Sequence, residues 1–317
     1  MRQTCLKMVY DLALKDERIF FVGSDLGAGT LDQFKKSMPD RFFMEGVSEG
    51  HLTSMAAGMA MDGKVVYFNT IASFLTRRSF EQNVVDLALH RANVRLIGNG
   101  GGLAYAPLGP THEAIEDLAI MRAIPNMTVV ACADADEMRR LMPQTVAHRG
   151  PIYIRLAKGG DPIASRGDLP FTIGKAIPMR AGEDALIVTT GITLKLGLDA
   201  AAQLSSRGLE AAILHCHTIK PFDAESLLSL AEKAPVIVTI EEHSVLGGLG
   251  GAVAEALAEA GFPTAKRFKR LGIPDVFPDE YGSQASLMKK YGITEQNLTE
   301  TVAKLCTSMG GRRPQAA

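Results

Sequence analysis

A carboxylate stands at a predicted strand-to-helix junction near the start of the chain. Glu49 belongs to the segment GVSEGH (46–51). A glutamate in the first turn of a helix commonly acts as a cap or as a partner of the helix dipole. Two later segments favour a chemical role instead: NTIASFLTRRSFEQ (69–82) follows the next predicted strand, and GPTHEAIEDLA (109–119) follows the one after. The three segments thus place a carboxyl, an aromatic ring and an imidazole in loops that follow strands.

The elements around these segments predict how they are brought together. Apolar runs rich in Val, Ile and Phe alternate with helical periodicity, which predicts an α/β protein with two doubly wound, mostly parallel sheets. We predict a first domain over 1–160, a linker over 161–182, a smaller second domain over 183–309 and a flexible tail over 310–317. In open α/β sheets ligands bind beyond the carboxyl ends of the strands. The loops after the first domain's strands are therefore the expected site.

The composition argues against several classes of function. Of 317 residues, 34 are basic and 35 acidic, which leaves a net charge of −1. This balance lacks the basic surface of a protein that binds nucleic acids or membrane surfaces. There is no basic leader with an apolar core and no run of 18 apolar residues, so a cytoplasmic location is expected. The four cysteines are scattered and are expected to be reduced thiols.

In their order and spacing, the three segments resemble the pyrimidine-binding domain of transketolases and of 1-deoxyxylulose-5-phosphate synthases. The resemblance continues through MRAIPN (121–126), and the second domain is similar to the C-terminal domain of transketolases. A GPTH segment alone would be weak support, whereas the ordered set is specific. The resemblance implies an enzyme that uses thiamine diphosphate and Mg²⁺.

For the cofactor, the resemblance implies four contacts. Glu49 falls on the catalytic glutamate, whose protonated carboxyl binds nitrogen N1′ of the aminopyrimidine and so activates the thiazolium carbon; burial keeps such an acid protonated. Phe74 falls on the aromatic residue that stacks on the aminopyrimidine, a contact of about 0.5–1.5 kcal/mol beyond area burial. Ile71 occupies a cofactor position that is often aromatic. Asp25 matches an aspartate near the thiazolium, with an Asx turn as the alternative.

For the substrate, the resemblance implies a second set of residues. His112 falls on a histidine suited to proton exchange with a sugar hydroxyl, and is predicted to be catalytic. Arg77 is assigned to substrate binding, and Lys158 lies where relatives carry a phosphate-binding arginine; the nearby Arg155 has a structural role as its alternative. Leu108 replaces an aspartate that contacts the sugar, so the identity of the substrate stays open.

Two glycine-rich segments are ambiguous in the sequence. GGLGG (247–251) resembles a phosphate loop but lacks the Lys and Ser/Thr of that motif, so packing is the better interpretation. GGG (100–102) has the backbone freedom that close approach to a ligand would require.

The family's Mg²⁺-binding motif is absent from this sequence. Relatives hold the cofactor's diphosphate through Mg²⁺ with a Gly-Asp-Gly segment followed by an Asn, and no Gly-Asp-Gly occurs here. No metal ligands are therefore expected in this chain. The resemblance implies a partner, an N-terminal diphosphate-binding subunit, with two copies of each chain in a heterotetramer.

Three functions are compatible with these residues. The leading prediction is the C-terminal subunit of a split transketolase, which moves a two-carbon ketol unit from a ketose or ketose phosphate to an aldehyde. The first alternative is a decarboxylating enzyme, such as a 1-deoxyxylulose-5-phosphate synthase or a 2-oxoacid dehydrogenase beta chain. The second is a non-catalytic scaffold, although a scaffold has no use for Glu49, Phe74 and His112 together.

Overall fold

The apolar runs of the sequence form the strands of two sheets in this computed structural model, which describes residues 1–24, 29–157 and 159–308. The strands that the apolar runs predict are confirmed, and further strands at the sheet edges complete the sheets. The strands are β1 (Ile19–Gly23), β2 (Phe42–Met44), β3 (Val65–Ile71), β4 (Val94–Asn99), β5 (Thr128–Ala131), β6 (Ile152–Leu156), β7 (Ile177–Arg180), β8 (Ala185–Thr189), β9 (Ala211–His215), β10 (Thr218–Lys220), β11 (Val236–Ser244) and β12 (Arg267–Ile273).

Helices connect these strands and cover the sheets. They are α1 (Arg2–Ala13), α2 (Asp32–Ser37), α3 (Glu49–Met61), α4 (Ala72–Arg77), α5 (Phe80–Gln82), α6 (Asp117–Ala123), α7 (Ala135–Ala147), α8 (Thr193–Ser206), α9 (Ala224–Lys233), α10 (Leu249–Glu259), α11 (Gln284–Lys290) and α12 (Glu295–Thr307). A π-helical turn over Asn83–Ala88 continues α5. None of the helices in the described part of the chain has the length and apolar character that a bilayer-spanning segment needs.

Both sheets are mostly parallel, which confirms the predicted fold class. The first sheet has the strand order β10-β5-β6-β4-β3-β1-β2, and the second has the order β12-β11-β8-β9-β7. Among the described strand pairs only β5–β10 and β7–β9 are antiparallel. Parallel strands are buried on both faces, which is why these runs are continuously apolar rather than alternating.

Among the strands that the apolar runs do not predict, the short β7 and β10 lie at the edges of the two sheets. Strand β7 falls inside the interval 161–182, which is predicted as a linker, yet it pairs with β9 at the edge of the second sheet. Strand β10 follows the second domain's β9 but joins the edge of the first sheet beside β5. Three- and four-residue edge strands carry too few residues for a detectable period. The predicted tail, 310–317, lies outside the described residues.

Packing on both faces holds the first sheet rigid where the candidate site begins. In β3, successive residues enter opposite cores: Tyr67 packs on one face and Phe68 on the other, and both are fully buried. The Tyr67 hydroxyl lies 2.7 Å from Thr145 Oγ1, so its polar end is satisfied inside the core. Burial of a large apolar side chain contributes about 1.5–3 kcal/mol. The carboxyl end of β3 is thus a fixed platform for the loop that follows it.

Candidate active site

Glu49 lies at the first turn of α3, and its side chain is almost completely buried, with 2% exposed. The Thr70 hydroxyl donates to Glu49 Oε1 at 3.3 Å, and Arg78 Nη1 donates to Oε2 at 3.3 Å. Because Thr70 has one hydroxyl proton, the Ser24 hydroxyl, 2.7 Å away, donates to Thr70 in turn. The carboxyl is therefore held at the carboxyl ends of β1 and β3, where the fold class predicts a site.

Phe74 lies next to this carboxyl, on α4, because β3 passes directly into that helix. The Arg78 guanidinium carbon lies 3.9 Å from the centroid of the Phe74 ring, a stacked cation–π contact. The His112 ring approaches the same phenyl ring with its centroid at 5.0 Å. Glu49, Phe74 and His112, which lie on three separate segments, are thus brought together.

The loop that carries His112 is held from below by Arg77. Arg77 forms an ion pair with Glu116, and Arg77 Nη2 donates to the Glu113 carbonyl oxygen at 2.7 Å. Its Nη1 donates to the Pro110 carbonyl oxygen at 3.4 Å. The guanidinium that the sequence assigns to the substrate is thus engaged by the protein, in a role that positions the loop. A substrate contact of Arg77 stays a prediction.

A second arginine anchors the far end of the same loop. Asp117 Oδ2 accepts from Arg155 Nε at 2.9 Å and from the Tyr153 hydroxyl at 2.6 Å, and all three side chains are buried. Burial alone would lower the pKa of Arg155, but the carboxylates of Asp117 and Glu242 raise it overall. Arg155 therefore stays charged inside the protein, and its structural role is the one that the contacts support.

Two buried glutamates lie where the loop meets the second domain, Glu113 on the loop and Glu242 on β11. Neither carboxyl oxygen of Glu113 has a hydrogen-bond partner among the described residues, and burial raises its pKa to about 7. Burial also raises the pKa of Glu242 to about 7. Glu242 Oε1 accepts from the Leu103 backbone N–H at 2.9 Å and from Gln284 Nε2 at 2.7 Å. Two glutamate carboxyls whose pKa values are raised to about 7 therefore line the junction of the two domains.

The glycine-rich segments serve packing rather than ligand binding. At 247–251 the helix α10 begins, and Glu241 accepts from the backbone N–H groups of Leu249 and Gly250 at 2.7 and 2.8 Å. The protein's own carboxylate therefore fills the place where a phosphate would bind. Gly102 has a φ of +63°, and a Cβ there would lie 2.6 Å from the Glu242 carboxyl carbon. At Gly102 the close approach is thus that of the second domain, whereas a Cβ at Gly100 or Gly101 would meet Tyr105 or Arg155 of the first domain.

The remaining predicted site residues are placed with fewer contacts. Ile71 is the last residue of β3 and is half-buried, and Leu108 ends a 3₁₀ turn with 49% of its side chain exposed. Asp25 and Lys158 lie outside the described residues, so their roles stay predictions. Sequence reasoning missed Arg78, although it follows Arg77 directly in the segment 69–82. The sequence does not show which way each of two adjacent arginines points, because their directions depend on the helix they belong to.

Comparison with known families agrees with this architecture. Residues 1–160 match the family described as transketolase, pyrimidine binding domain, and residues 174–298 match the one described as transketolase, C-terminal domain. Together the two matches span most of the chain.

Two curated relatives are similar along nearly the whole chain. The 6-deoxy-6-sulfo-D-fructose transketolase subunit SqwH of a Clostridium species is 38% identical over 299 residues, which cover 94% of this chain and 92% of the relative. An apulose-4-phosphate transketolase subunit of Phocaeicola vulgatus is 34% identical over 302 residues, which cover 95% of each chain.

A solved structure described as a split gene transketolase, inactive beta4 tetramer, has the same architecture. It matches with a TM-score of 0.86 at 34% identity, and the match covers 96% of this chain and 97% of that one. The chain therefore belongs to the transketolase family of thiamine-diphosphate-dependent transferases, and it carries the pyrimidine-binding and C-terminal domains of that family.

Proposed function

We propose that this chain is the pyrimidine-side subunit of a split transketolase, which transfers a two-carbon ketol unit from a ketose or ketose phosphate to an aldehyde. The observation that carries the proposal is the convergence of Glu49, Phe74 and His112 at one edge of the first sheet. A buried acid, an aromatic face and an imidazole are the groups that this chemistry requires from the pyrimidine side.

The geometry between Glu49 and Phe74 suits a flat, nitrogen-rich ring. The Arg78 guanidinium, which is itself planar and carries N–H donors, already bridges the two side chains, with 3.3 Å to the carboxylate and 3.9 Å to the ring centroid. An aminopyrimidine has the same combination of a flat face and nitrogen atoms at its edge. The donor set of this chain thus fits the pyrimidine half of thiamine diphosphate.

Each residue has a role that follows from its position. Thiamine diphosphate, when bound, would supply the nucleophilic carbon that ketol transfer requires. Glu49 holds a proton at the pyrimidine's N1′, and Thr70 orients that carboxyl from behind. Phe74 fixes the plane of the pyrimidine, with Ile71 beside it. His112, whose Nδ1 lies 2.9 Å from Thr111 Oγ1, exchanges a proton with a sugar hydroxyl.

A partner chain completes the site in this proposal. An N-terminal transketolase subunit supplies the diphosphate contacts and the Mg²⁺ ligands, which are hard oxygen groups. The description of the solved relative as an inactive β4 tetramer of a split-gene enzyme supports a need for a second kind of subunit. We place two copies of each chain in a cytoplasmic heterotetramer.

The substrate in this proposal is a sugar or a sugar phosphate. The names of the two relatives refer to different sugars, so they do not identify it. One relative's name refers to a sulfo-sugar and the other's to apulose 4-phosphate. Leu108, Lys158 and Arg77 are the positions on this chain at which we expect selectivity to differ.

Reconstitution tests the proposal. The purified chain is mixed with the diphosphate-domain subunit from the same genome, thiamine diphosphate and Mg²⁺, and supplied with a ketose phosphate donor and an aldehyde acceptor. We expect a product that is two carbons longer than the aldehyde acceptor and that forms only when both chains are present. Activity of the lone chain would contradict the partner requirement. Release of carbon dioxide from pyruvate, without ketol transfer, would assign the complex to the decarboxylating enzymes instead.

A further inference from the structure

Arg78 occupies a distinctive position in the candidate site. Its guanidinium carbon stacks over Phe74 at 3.9 Å from the ring centroid, and its Nη1 donates to the buried Glu49 carboxylate at 3.3 Å. A single planar group therefore contacts both the residue proposed to stack on the aminopyrimidine and the residue proposed to bind its edge.

This geometry defines a place rather than only a pair of contacts. A ring that stacks on Phe74 while its edge meets Glu49 must lie over the phenyl face and beside the carboxylate. The Arg78 guanidinium lies at that position and makes the same two kinds of contact, a stacked face and an N–H donated to the carboxylate. The ring and the guanidinium cannot occupy the same space, so they must compete.

Arg78 has the freedom to leave, whereas its neighbour does not. Half of the Arg78 side chain is exposed, and Glu49 is the acidic partner found for it in the described residues. Arg77, one residue earlier, is held by Glu116 and by backbone carbonyls of the loop that carries His112. An exposed cation–π contact and a half-exposed ion pair are each weak, so Arg78 can rotate into solvent at small cost.

We propose that Arg78 closes the pyrimidine site of the free chain from within, as an internal stand-in for the aminopyrimidine, and swings out when the cofactor enters. This inference rests on the proposed function. Because only the open arrangement accepts the cofactor, occupancy by Arg78 raises the apparent dissociation constant by the inverse of the fraction of open molecules. It also keeps the buried carboxylate paired until the cofactor arrives.

Calorimetric titration of the assembled two-subunit complex with thiamine diphosphate in Mg²⁺ tests the competition. We expect Arg78→Ala to bind the cofactor about tenfold more tightly than the wild type, as for a site that is about nine-tenths closed. Arg78→Lys, which keeps the charge but loses the planar stack, should fall between the two. Arg149→Ala is the matched control. Arg149 is exposed and precedes β6, so it lies at the amino ends of the strands, away from the candidate site at their carboxyl ends. Unchanged or weaker binding by Arg78→Ala would overturn the inference.

A second measurement follows Arg78 directly. In the lone chain with ¹⁵N-labelled arginine, the ring current of Phe74 should shift the Arg78 side-chain signals upfield, and Phe74→Leu should remove that shift. The signals should move to solvent-like positions when the partner subunit and cofactor are added. A shift that persists in the loaded complex would overturn the inference even if the cofactor binds. Absence of cofactor binding by the wild-type complex would reject the proposed function, and this inference with it.

Discussion

The two sheets of this protein have the same mostly parallel architecture, but the carboxyl ends of their strands have different surroundings. In the first sheet, the edge after β1 and β3 carries the buried Glu49, the half-buried Phe74 and the half-exposed Arg78. In the second sheet, the corresponding edge is packed against the first domain. The Ser244 backbone N–H donates to the Ile115 carbonyl oxygen at 2.7 Å, and the Gly191 N–H donates to that of Ala131 at 3.1 Å.

The contrast is sharpest at two glutamates that stand near helix N-termini. Glu241 is fully buried and binds two backbone N–H groups at the start of α10. Glu49 opens α3, yet its described partners are a threonine hydroxyl and the guanidinium of Arg78. A carboxylate that already serves a helix terminus is part of the fold, whereas one whose cationic partner is a half-exposed arginine is available to a ligand. The fold class by itself allows a ligand site at either edge, but among the described residues the second edge is packed against the first domain, while the first keeps a half-exposed arginine beside its carboxylate.

The largest expected effect comes from Glu49→Gln in the reconstituted complex. An amide still reaches a ring nitrogen but is a far poorer proton donor than a carboxylic acid, so kcat should fall by about 10²–10⁴-fold. Thermal unfolding should show an intact fold. Steady-state kinetics with saturating cofactor and partner provide the measurement. A variant that keeps more than about 10% of the wild-type kcat would show that Glu49 is not the activating acid.

The same substitution at the closed edge, Glu241→Gln, should affect stability instead. Gln has one acceptor oxygen where two backbone donors must be satisfied, so the free energy of unfolding should fall by about 1–3 kcal/mol. Cofactor affinity and kcat per folded molecule should match the wild type. Denaturant unfolding combined with active-site titration distinguishes the two effects. A large loss of kcat without loss of stability would mean that the second edge also takes part in the chemistry.

Phe74→Ala should weaken cofactor binding by about 2- to 12-fold, the range of a stacking contact of about 0.5–1.5 kcal/mol. The substrate KM should change less, because in the proposed site the phenyl ring contacts the pyrimidine and not the sugar. Phe171 supplies the matched control. It lies in the interval 161–182 and stacks on His217, with 3.9 Å between the ring centroids. Phe171→Ala should leave the cofactor titration unchanged. Equal cofactor affinities for wild type and Phe74→Ala would assign the stacking role to another residue.

Leu108 should make the open edge insensitive to one substrate hydroxyl. An exposed leucine makes no hydrogen bond at a position where the family resemblance implies an aspartate, so kcat/KM for a 2-hydroxyaldehyde should exceed that of its 2-deoxy analogue by less than about tenfold. Leu108→Asp should widen the ratio. Paired acceptor kinetics on the reconstituted complex give both numbers. A wild-type ratio near 10³ would place recognition of the hydroxyl on another residue.

The last and smallest expected change, a few degrees in Tm, concerns Glu113 at the junction of the two domains. Burial raises the pKa of Glu113 from 4.5 to about 7, so the folded chain holds a proton that the unfolded chain releases in that window. This contribution to stability is therefore present below pH 4.5 and is lost as the pH rises towards 7. Glutamine does not titrate, so the Tm of Glu113→Gln should rise by about 4 °C relative to wild type between pH 5 and pH 8. Glu259→Gln, an exposed control, should show a constant difference.

Much of the architecture could be predicted because it depends on local patterns. Continuous apolar runs such as Val65–Asn69 indicate strands buried on both faces, and their alternation with helices predicts parallel sheets. The short β7 and β10 were missed, since an edge strand of three or four residues has no measurable period. That β10 joins the first sheet depends on where the second domain docks, which no local segment encodes.

The candidate site divides in the same way. Residue types and order placed Glu49, Phe74 and His112 in loops that share one edge, because carboxyl ends of parallel strands meet there. Only the tertiary structure decided what their neighbours do. Arg77 and Arg78 are chemically identical and adjacent, yet one supports the loop of His112 and the other lies over Phe74. A turn of helix sends consecutive side chains about 100° apart, so their partners are set by packing and not by sequence.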